Sequence, residues 1–354
     1  MRVLAAVVLA GCSFQPRAAT TSSDGAAGDD APPVLHDAHV DALGDGPMRA
    51  IDAAPDAVVT THPPNWWNAA WGARMQLTIT NASPTPMAEG YQVGLQLDLD
   101  AAPCTGPRDA VRIVYNNTSE IPRVIDEVGG AEWTWFPLQS AIGASSSSSA
   151  YWLYCGNAAP NAALQDPATV FDFWDDFNGT TLGAAWAAQG SVTVASGSVT
   201  IGNASSGIHS TATYGANTAI DFMASASAAA VASPYWWGGY QTAFSVSQPW
   251  IIWHSLTANT RHPSEYSASE NWNGTNIALD TAPHLYGVEH YGTAGAWRDA
   301  DVIVQSHTYA APIAALNLRL HNYQSGGSVS FDWARVRKAV TPAPTVSVGS
   351  VETY

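Results

Sequence analysis

Apolar and polar residues alternate along the chain beyond about residue 70, and this pattern predicts β-strands. Met75, Leu77 and Ile79 are separated by polar or charged residues, and the segment 91–99 repeats the alternation. A period of two places successive side chains on opposite faces, which is typical of a half-buried strand. Further strands are predicted at 110–115, 132–136 and 150–155, whereas the serine run 145–149 is predicted to be a solvated loop.

A second strand-rich region begins at Phe171. Its short β-forming segments are separated by clusters of Gly, Asn, Ser and Pro, which is typical of a sandwich or a jelly roll. The predicted strands are 191–195, 198–202, 218–224, 240–246, 249–255, 284–290, 301–305, 314–321 and 328–337. The fold class is therefore predicted to be all-β, with two β-sandwich or jelly-roll domains.

Both ends of the chain differ from this pattern. Residues 12–64 are rich in Asp, Ala, Gly and Pro and contain only Arg17 and Arg49 as basic residues. Such a segment cannot bury a core, so we predict a disordered acidic linker. The segment 341–354 is predicted to be a tail that leaves the fold.

The first residues resemble the signal sequence of bacterial lipoproteins. Arg2 precedes an apolar run, and Leu9-Ala10-Gly11-Cys12 resembles the lipobox of that class. The run is too short to span a bilayer, which needs about 20 apolar residues. The resemblance implies that residues 1–11 are a signal peptide and that Cys12 carries lipid. It also implies a lipid-anchored location at the outer membrane or cell surface.

Composition excludes several function classes. The formal net charge is −16, which disfavours binding to nucleic acid because phosphates require basic patches. Lys338 is the only lysine, so a phosphate-binding loop with its lysine is excluded, and Schiff-base chemistry would have to use that residue.

Three cysteines are present. If Cys12 carries lipid, Cys104 and Cys155 remain as an even pair. In an oxidising compartment such a pair is expected to form a disulfide, and two unpaired buried thiols are the alternative.

Two segments resemble known domain families. The motifs Trp67-Asn68-Ala69-Ala70-Trp71, Asp109-Ala110-Val111-Arg112-Ile113 and Tyr151-Trp152-Leu153-Tyr154-Cys155-Gly156-Asn157 resemble the domain of unknown function, family 2341. The segments Asp175-Asp176-Phe177-Asn178-Gly179-Thr180 and Phe331-Asp332-Trp333-Ala334-Arg335 resemble the first and last strands of a concanavalin A-like or laminin-G-like jelly roll. The resemblance implies a sandwich at 65–165 and a jelly roll at 166–340, whose first and last strands are neighbours.

Aromatic residues between 235 and 272 are the main functional signal. Aromatic rings stack on the apolar faces of sugars, and core packing is the alternative. Adjacent Trp236 and Trp237 cannot both face a core if they lie on one strand, and the same holds for Trp250 and Trp253. The predicted ligand-binding residues are Trp236, Trp237, Tyr240, Trp250, Trp253 and Trp272.

Carboxylates give weaker signals. The alternating Glu and Asp run of jelly-roll glucanases is absent, although Asp98 and Asp100 share a predicted strand face, and Glu265 and Glu270 are near one another in sequence. No catalytic residue is therefore assigned.

Asp176 and Asp332 would lie on neighbouring strands of a jelly roll, and they are the candidate ligands for Ca²⁺, with turn or strand-end positions as the alternative.

These patterns together predict a non-catalytic, lipid-anchored surface protein that binds a glycan or a protein partner. One alternative is a polysaccharide hydrolase or lyase with an atypical carboxylate pair. Another is a structural component of an envelope assembly, which would expose apolar patches instead of an aromatic groove.

Overall fold

The computed structural model describes residues 65–98, 103–105, 107–128, 131–202, 205–244, 247–271, 276–300 and 302–354. The predicted signal peptide, Cys12 and the linker lie outside these residues. The described residues consist mainly of β-strands, with two short α-helices and one 3₁₀ turn, so the predicted all-β class is confirmed. In this part of the chain, no helix has the length and apolar character needed to cross a bilayer.

The N-terminal region contains seven strands and the 3₁₀ turn Arg108–Ala110. The strands are β1 (Ala73–Asn81), β2 (Gln92–Leu97), β3 (Arg112–Tyr115), β4 (Ser119–Ile121), β5 (Val124–Val128), β6 (Ala131–Pro137) and β7 (Ser146–Cys155).

The next region begins with helix α1 (Pro167–Val170) and includes helix α2 (Ala228–Ala232). Each helix is capped by a side chain, because Asp166 accepts a hydrogen bond from Ala168 and Ser227 accepts one from Ala230. The strands are β8 (Phe173–Asp175), β9 (Trp186–Gln189), β10 (Val192–Ala195), β11 (Ser198–Ile201), β12 (Ser206–Tyr214), β13 (Thr218–Ala226), β14 (Trp236–Gln241), β15 (Trp250–Ser255), β16 (Thr260–Tyr266), β17 (Glu270–Asn271), β18 (Ile277–Ala278), β19 (His284–His290), β20 (Ala294–Asp299), β21 (Val302–Thr308), β22 (Leu316–Asn322) and β23 (Val329–Lys338).

The last strand, β24 (Thr345–Thr353), pairs antiparallel with β1 in the N-terminal region. The prediction of a tail at 341–354 is therefore wrong. Valine and polar residues alternate along β24, and Val346 packs against the core of the N-terminal sandwich. The chain thus returns to its first strand after completing the second sandwich.

Four antiparallel sheets form two sandwiches. Sheet 1 has the order β24-β1-β7-β3-β4, and sheet 2 has the order β2-β6-β5. Sheet 3 has the order β10-β11-β23-β13-β19-β20-β21, with β8 also paired to β23. Sheet 4 has the order β17-β16-β15-β14-β22-β12-β9, with β18 paired to β16. β8 pairs with β23, so the first strand of the second sandwich is next to the predicted last strand. The sequence predicts the first strand itself at 175–180, whereas β8 ends at Asp175 and residues 176–180 lie outside it.

Each sandwich has its own apolar core. In the first, the predicted alternation is confirmed, since Met75, Leu77 and Ile79 are buried between sheets 1 and 2. In the second, aromatic and aliphatic side chains from sheets 3 and 4 pack together, among them Phe222 and Tyr286. Burial of this apolar area is the main term that stabilises both units.

The serine run differs from its prediction. Ser146 to Ser149 are not a loop but the first part of β7. The hydroxyls of Ser147 and Ser149 pair across the strands with those of Thr80 and Thr78, at 3.0 and 2.9 Å. Cross-strand hydroxyl pairs of this kind stabilise a sheet on its solvent face.

The predicted disulfide between Cys104 and Cys155 is present and lies in the core of the first sandwich. It ties the end of β7 to the segment before β3. A covalent link across this sequence separation of 51 residues restricts the unfolded chain.

Removal of this bridge is expected to destabilise the protein. The double variant Cys104→Ala/Cys155→Ala should lose up to about 4 kcal/mol of unfolding free energy, because the unfolded chain regains loop entropy. Calorimetry of the oxidised protein, the reduced protein and the double variant measures this loss. An identical melting temperature for the oxidised and reduced proteins would contradict the bridge.

Candidate functional site

Strand alternation divides the predicted aromatic residues between two faces of sheet 4. Trp236, Tyr240 and Trp253 point between sheets 3 and 4 and are buried in the core. Their predicted role in ligand contact is corrected, because fully packed core rings present no surface to a ligand. Trp237 and Trp250 point to the opposite, outer face.

The outer face carries a cluster of five rings, which we call the aromatic face. It comprises Tyr235, Trp237, Trp250, Tyr266 and Tyr323. Trp237 and Tyr323 stack with centroids 5.4 Å apart and planes at 10°, and Tyr235 meets Trp237 edge-on at 5.7 Å. Trp250 and Tyr266 are 5.0 Å apart on paired strands. These contacts hold the rings in two groups, one of Tyr235, Trp237 and Tyr323 and one of Trp250 and Tyr266, and Ile252 belongs to the same cluster.

The two tryptophans form the floor of this face and the three tyrosines form its rim. Trp237 is 5 % exposed and Trp250 is 7 % exposed, whereas Tyr235, Tyr266 and Tyr323 are half-buried. The Trp250 indole donates a 3.1 Å hydrogen bond to the Ser264 hydroxyl, which holds the ring in place. The sixth predicted ligand residue, Trp272, lies outside the described residues.

A buried histidine lies beside this floor. His321 on β22 is directly opposite Trp237, and its ring contacts Trp237, Tyr323 and Phe244. The ring is fully buried, and neither nitrogen has a hydrogen-bond partner within the described part of the chain. Burial, together with the nearby Arg319 charge, lowers the pKa of His321 to about 4, so the ring is neutral near pH 7.

A pair of histidines also lies on this outer face of sheet 4. His254 on β15 and His262 on β16 are cross-strand partners, with ring centroids 3.9 Å apart. Burial lowers the pKa of both rings, and the proximity of His262 lowers that of His254 further. These histidines therefore border the aromatic face as neutral groups that can donate and accept hydrogen bonds, and Arg319 on β22 adds a positive charge to the same side of sheet 4.

Carboxylates do not assemble on this face. Glu265 on β16 lies opposite core-facing Ile251, and its carboxylate is 3.6 Å from the His307 imidazole. Burial raises the pKa of Glu265. The side chain of Glu270 lies outside the described residues, as does Asp100, and Asp98 is exposed after β2. Among the described side chains that β12, β14, β15, β16 and β22 direct to the outer face, none is a carboxylate.

The proposed calcium ligands are separate from the aromatic face. Asp176 accepts hydrogen bonds from the backbone and side chain of Asn178, and burial raises the pKa of half-buried Asp332. The described residues contain no group of three or more His, Cys, Asp or Glu side chains arranged to hold a metal ion. Calcium binding at Asp176 and Asp332 stays a prediction.

Part of this site could not be identified from local sequence. Tyr235 and Tyr266 belong to the same aromatic-rich stretch as Trp237 and Trp250, whereas Tyr323 and His321 come from β22. They join the face only because β22 pairs with β14 in sheet 4. No short-range signal in the sequence identifies that pairing.

No family model matches this chain, and no curated protein matches it. Solved structures of jelly-roll glycosyl hydrolases resemble it over about half its length. The β-glucanase of Bacillus licheniformis is 15 % identical over 47 % of this chain and 97 % of its own, with a TM-score of 0.38. A prokaryotic β-1,3-1,4-glucanase (lichenase) derived from a mouse hindgut metagenome is 13 % identical over 48 % and 99 %, with a TM-score of 0.38.

A third similar structure is a protein of Mycobacterium tuberculosis described as an immunostimulatory antigen and pseudo β-1,3-glucanase. It is 9 % identical over 48 % of this chain and 99 % of its own, with a TM-score of 0.38. At these TM-scores and identities the similarity supports no functional assignment. The strand order of sheets 3 and 4 identifies the second sandwich without these comparisons. The resemblance of residues 65–160 to family 2341 stays a prediction.

The neutral state of His321 predicts a pH dependence of stability. Its pKa is lowered to about 4 in the folded protein, against about 6.5 in an unfolded chain. Between these values only the unfolded state binds the proton, so stability falls as the pH drops from 6.5 to 4 and this contribution changes no further below 4. The loss is at most about 3 kcal/mol.

The variant His321→Gln should remove this contribution. Urea denaturation at pH 7 and pH 4.5 should therefore show a smaller difference in unfolding free energy for the variant than for the wild type. His254 and His290 keep their own dependence in both proteins. An equal difference in the two proteins would contradict a buried neutral His321.

Proposed function

We propose that this protein binds a carbohydrate on the aromatic face and does not cleave it. The observation that carries the proposal is the fixed arrangement of Trp237, Tyr323 and the neighbouring rings on the outer face of sheet 4. The accessible ring surface is that of the half-buried Tyr235, Tyr266 and Tyr323, which Trp237 and Trp250 support from below, and such rings pack against the C–H faces of sugars. The half-buried tyrosines add hydroxyl groups at the rim, where sugar hydroxyls would meet them.

Among the described side chains of this face, Arg319 carries a charge, and its guanidinium is held by the Gln241 and Thr242 carbonyls. The histidines are neutral near pH 7 because burial lowers their pKa values, and no described carboxylate points from the neighbouring strands into the face. Neutral donors and acceptors next to aromatic rings match the alternating apolar and hydroxyl surfaces of a sugar. The overall charge of −16 further disfavours a polyanionic glycan at this face.

The same observation argues against hydrolysis. Glycosidases place two carboxyl groups about 5–9.5 Å apart on either side of the scissile bond. On the described strands of this face no such pair is present, and Glu265 is directed to the other side of sheet 4. A hydrolase that uses this face is therefore not favoured.

A protein partner is the second candidate. Val302 and Ile303 on β21, at the edge of sheet 3, are 66 % and 49 % exposed. Exposed apolar residues at a sheet edge are typical of contact surfaces. A structural role in an envelope assembly would use this edge and not the aromatic face.

Carbohydrate binding is tested on a glycan array with the full chain. Trp237→Ala should weaken binding at least tenfold, about 1.4 kcal/mol, because the floor of the face is lost. Tyr235→Ala, which removes a half-buried rim ring, should weaken it with little effect on folding. Trp152→Ala, a half-buried tryptophan of the first sandwich, is the matched control and should bind normally.

Melting temperatures of the variants separate loss of binding from loss of folding. If folded Trp237→Ala and Tyr235→Ala bind every positive glycan as the wild type does, the aromatic face is not the site. Absence of binding to all glycans, together with one co-purifying protein lost in Val302→Asp, would support the protein-partner candidate.

The location of the protein is part of the same proposal. The lipobox-like residues at Cys12 would attach the chain to a membrane, and residues 12–64 would connect it to the folded part. Two or three acyl chains give stable anchoring, at roughly 0.8 kcal/mol per buried CH₂. Metabolic labelling with a palmitate analogue should mark the wild type and not Cys12→Ala. Equal labelling of both proteins would contradict lipid attachment at this residue.

A further inference from the structure

A cavity of about 140 Å³ lies where the two sandwiches meet. One wall is formed by sheet 2, with Trp133, Trp135 and Gly94, and the other by the outer face of sheet 3, with Arg298, Arg335 and Arg337. The segment at Ala343 and Pro344, which leads into β24, borders it. This cavity is separate from the aromatic face, which lies on the outer side of sheet 4.

The arginines of this cavity are held by a network of ion pairs. Asp221 on β13 accepts hydrogen bonds from Arg335 Nε at 2.9 Å and Arg337 Nε at 2.8 Å. Glu289 accepts from Arg337 Nη2 at 3.1 Å and Arg298 Nε at 2.8 Å, and Arg335 also donates to Asp126. The arginine charges lower the pKa of Asp221 to about 2, against the effect of burial.

Two guanidinium amino groups in this network donate no hydrogen bond within the described part of the chain. Arg335 bonds through Nε and Nη1, and Arg337 bonds through Nε and Nη2. Nη2 of Arg335 and Nη1 of Arg337 have no hydrogen-bond partner among the described residues. Arg335 is 2 % exposed and Arg337 is 9 % exposed, and neither amino group is among the fully buried polar atoms without a partner, so both stay accessible at the wall of the cavity. An acceptor in the cavity can therefore reach them.

Aromatic rings form the opposite side of the cavity. The Arg335 and Arg337 guanidinium carbons lie 4.6 and 5.5 Å from the centroid of Trp135. Trp133 stacks on Trp135 at 5.9 Å with planes at 23°. Gly94 on β2 packs against the Trp135 ring. A Cβ atom at this position would lie only 2.9 Å from ring atoms of Trp135, so the close approach requires glycine. Trp135 is in direct contact with the Arg335 guanidinium and is 9 % exposed, so the cavity combines fixed guanidinium donors with the ring surface of Trp133 and Trp135 that remains beside this contact.

The two open amino groups and the size of the cavity indicate the ligand class. The three arginines that line the cavity are balanced by Asp221, Glu289 and Asp126, so recognition rests on the directed donors and not on net charge. Guanidinium amino groups bind planar carboxylates particularly well. A cavity of about 150 Å³ can hold one benzene ring, so this one has room for a single six-membered ring.

We propose that this cavity binds a carboxylate carried on a six-membered ring, such as a uronic acid. The carboxylate accepts hydrogen bonds from Arg335 Nη2 and Arg337 Nη1, and the ring packs beside Trp133 and Trp135. The ligand is either a free sugar acid or a uronic acid residue at the end of a glycan. This site does not depend on carbohydrate binding at the aromatic face.

Calorimetric titration of the full chain tests the carboxylate and the ring separately. D-galacturonate should bind at least tenfold more tightly than D-galactose, which lacks only the carboxylate, and than acetate, which lacks the ring. If digalacturonate binds as tightly as galacturonate, the ligand is a uronic acid residue at the end of a glycan. If digalacturonate binds much more weakly, the ligand is the free sugar acid. Equal binding of galactose or acetate, or no binding of galacturonate at 10 mM, overturns the proposal.

Two variants locate the binding. Arg337→Lys keeps the charge but loses the planar amino groups, and it should weaken galacturonate binding at least tenfold. Because this change also alters the ion pairs, Ala343→Phe provides a second test, since it fills the exposed border of the cavity without touching the network. Wild-type affinity in folded Ala343→Phe and Arg337→Lys overturns the assignment.

Trp152→Ala is the matched control. It should bind galacturonate normally, because Trp152 lies on β7 in sheet 1 and does not line the cavity. If no glycan on the array binds but galacturonate still binds, only the aromatic face is rejected as a site. If array glycans bind but galacturonate does not, only the cavity is rejected.

Discussion

The two faces of sheet 4 are the constraint on which the functional account depends. Because successive side chains of a strand point in opposite directions, burying Trp236 and Trp253 in the core directs Trp237 and Trp250 outward. The buried rings also join the sheets: Trp253 donates to the Gly287 carbonyl at 3.0 Å, and Trp297 donates to the Ile252 carbonyl at 2.9 Å. The core therefore fixes the strands that carry the aromatic face, so a ligand would meet a largely preformed surface.

The second constraint is the junction between the sandwiches. The carboxylate of Asp221 holds two arginines on β23, and one of them reaches Asp126 in the first sandwich. Close by, Lys338 donates to Asp172 and to the Gly90 carbonyl. β24 then continues the chain into sheet 1. The last strand of the first sandwich therefore follows the whole second sandwich in the chain. The junction cavity is lined by residues of both sandwiches.

Much of the strand content could be predicted because apolar alternation is a local property. The prediction at 284–290 coincides with β19, and the alternation at Met75, Leu77 and Ile79 corresponds to β1. Strands without a clear apolar alternation are not predicted, notably β12, β16 and the serine-rich start of β7. β24 is also not predicted although valines recur along it, because most of its side chains are exposed and its partner β1 is distant in sequence. Their pairing depends on hydroxyl contacts and on neighbours distant in sequence, such as Thr78 and Thr80 for the serines.

The site was predictable only in part for the same reason. The division of adjacent tryptophans between two faces follows from period two, although which of Trp236 and Trp237 faces the core depends on how sheet 4 packs on sheet 3. Tyr323 and His321 enter the face through the pairing of β22 with β14. Similarly, Arg335 and Arg337 are two residues apart on one strand, but their carboxylate partners Asp221 and Glu289 come from β13 and β19.

An NMR titration of the tryptophan indole N–H signals with an oligosaccharide that binds the protein tests carbohydrate binding at the aromatic face. The signals of Trp237 and Trp250 are expected to shift with ligand concentration, while those of Trp236 and Trp253 in the core stay unchanged. Saturable shifts at Trp236 and Trp253 without shifts at Trp237 and Trp250, or shifts confined to the first sandwich, would contradict it.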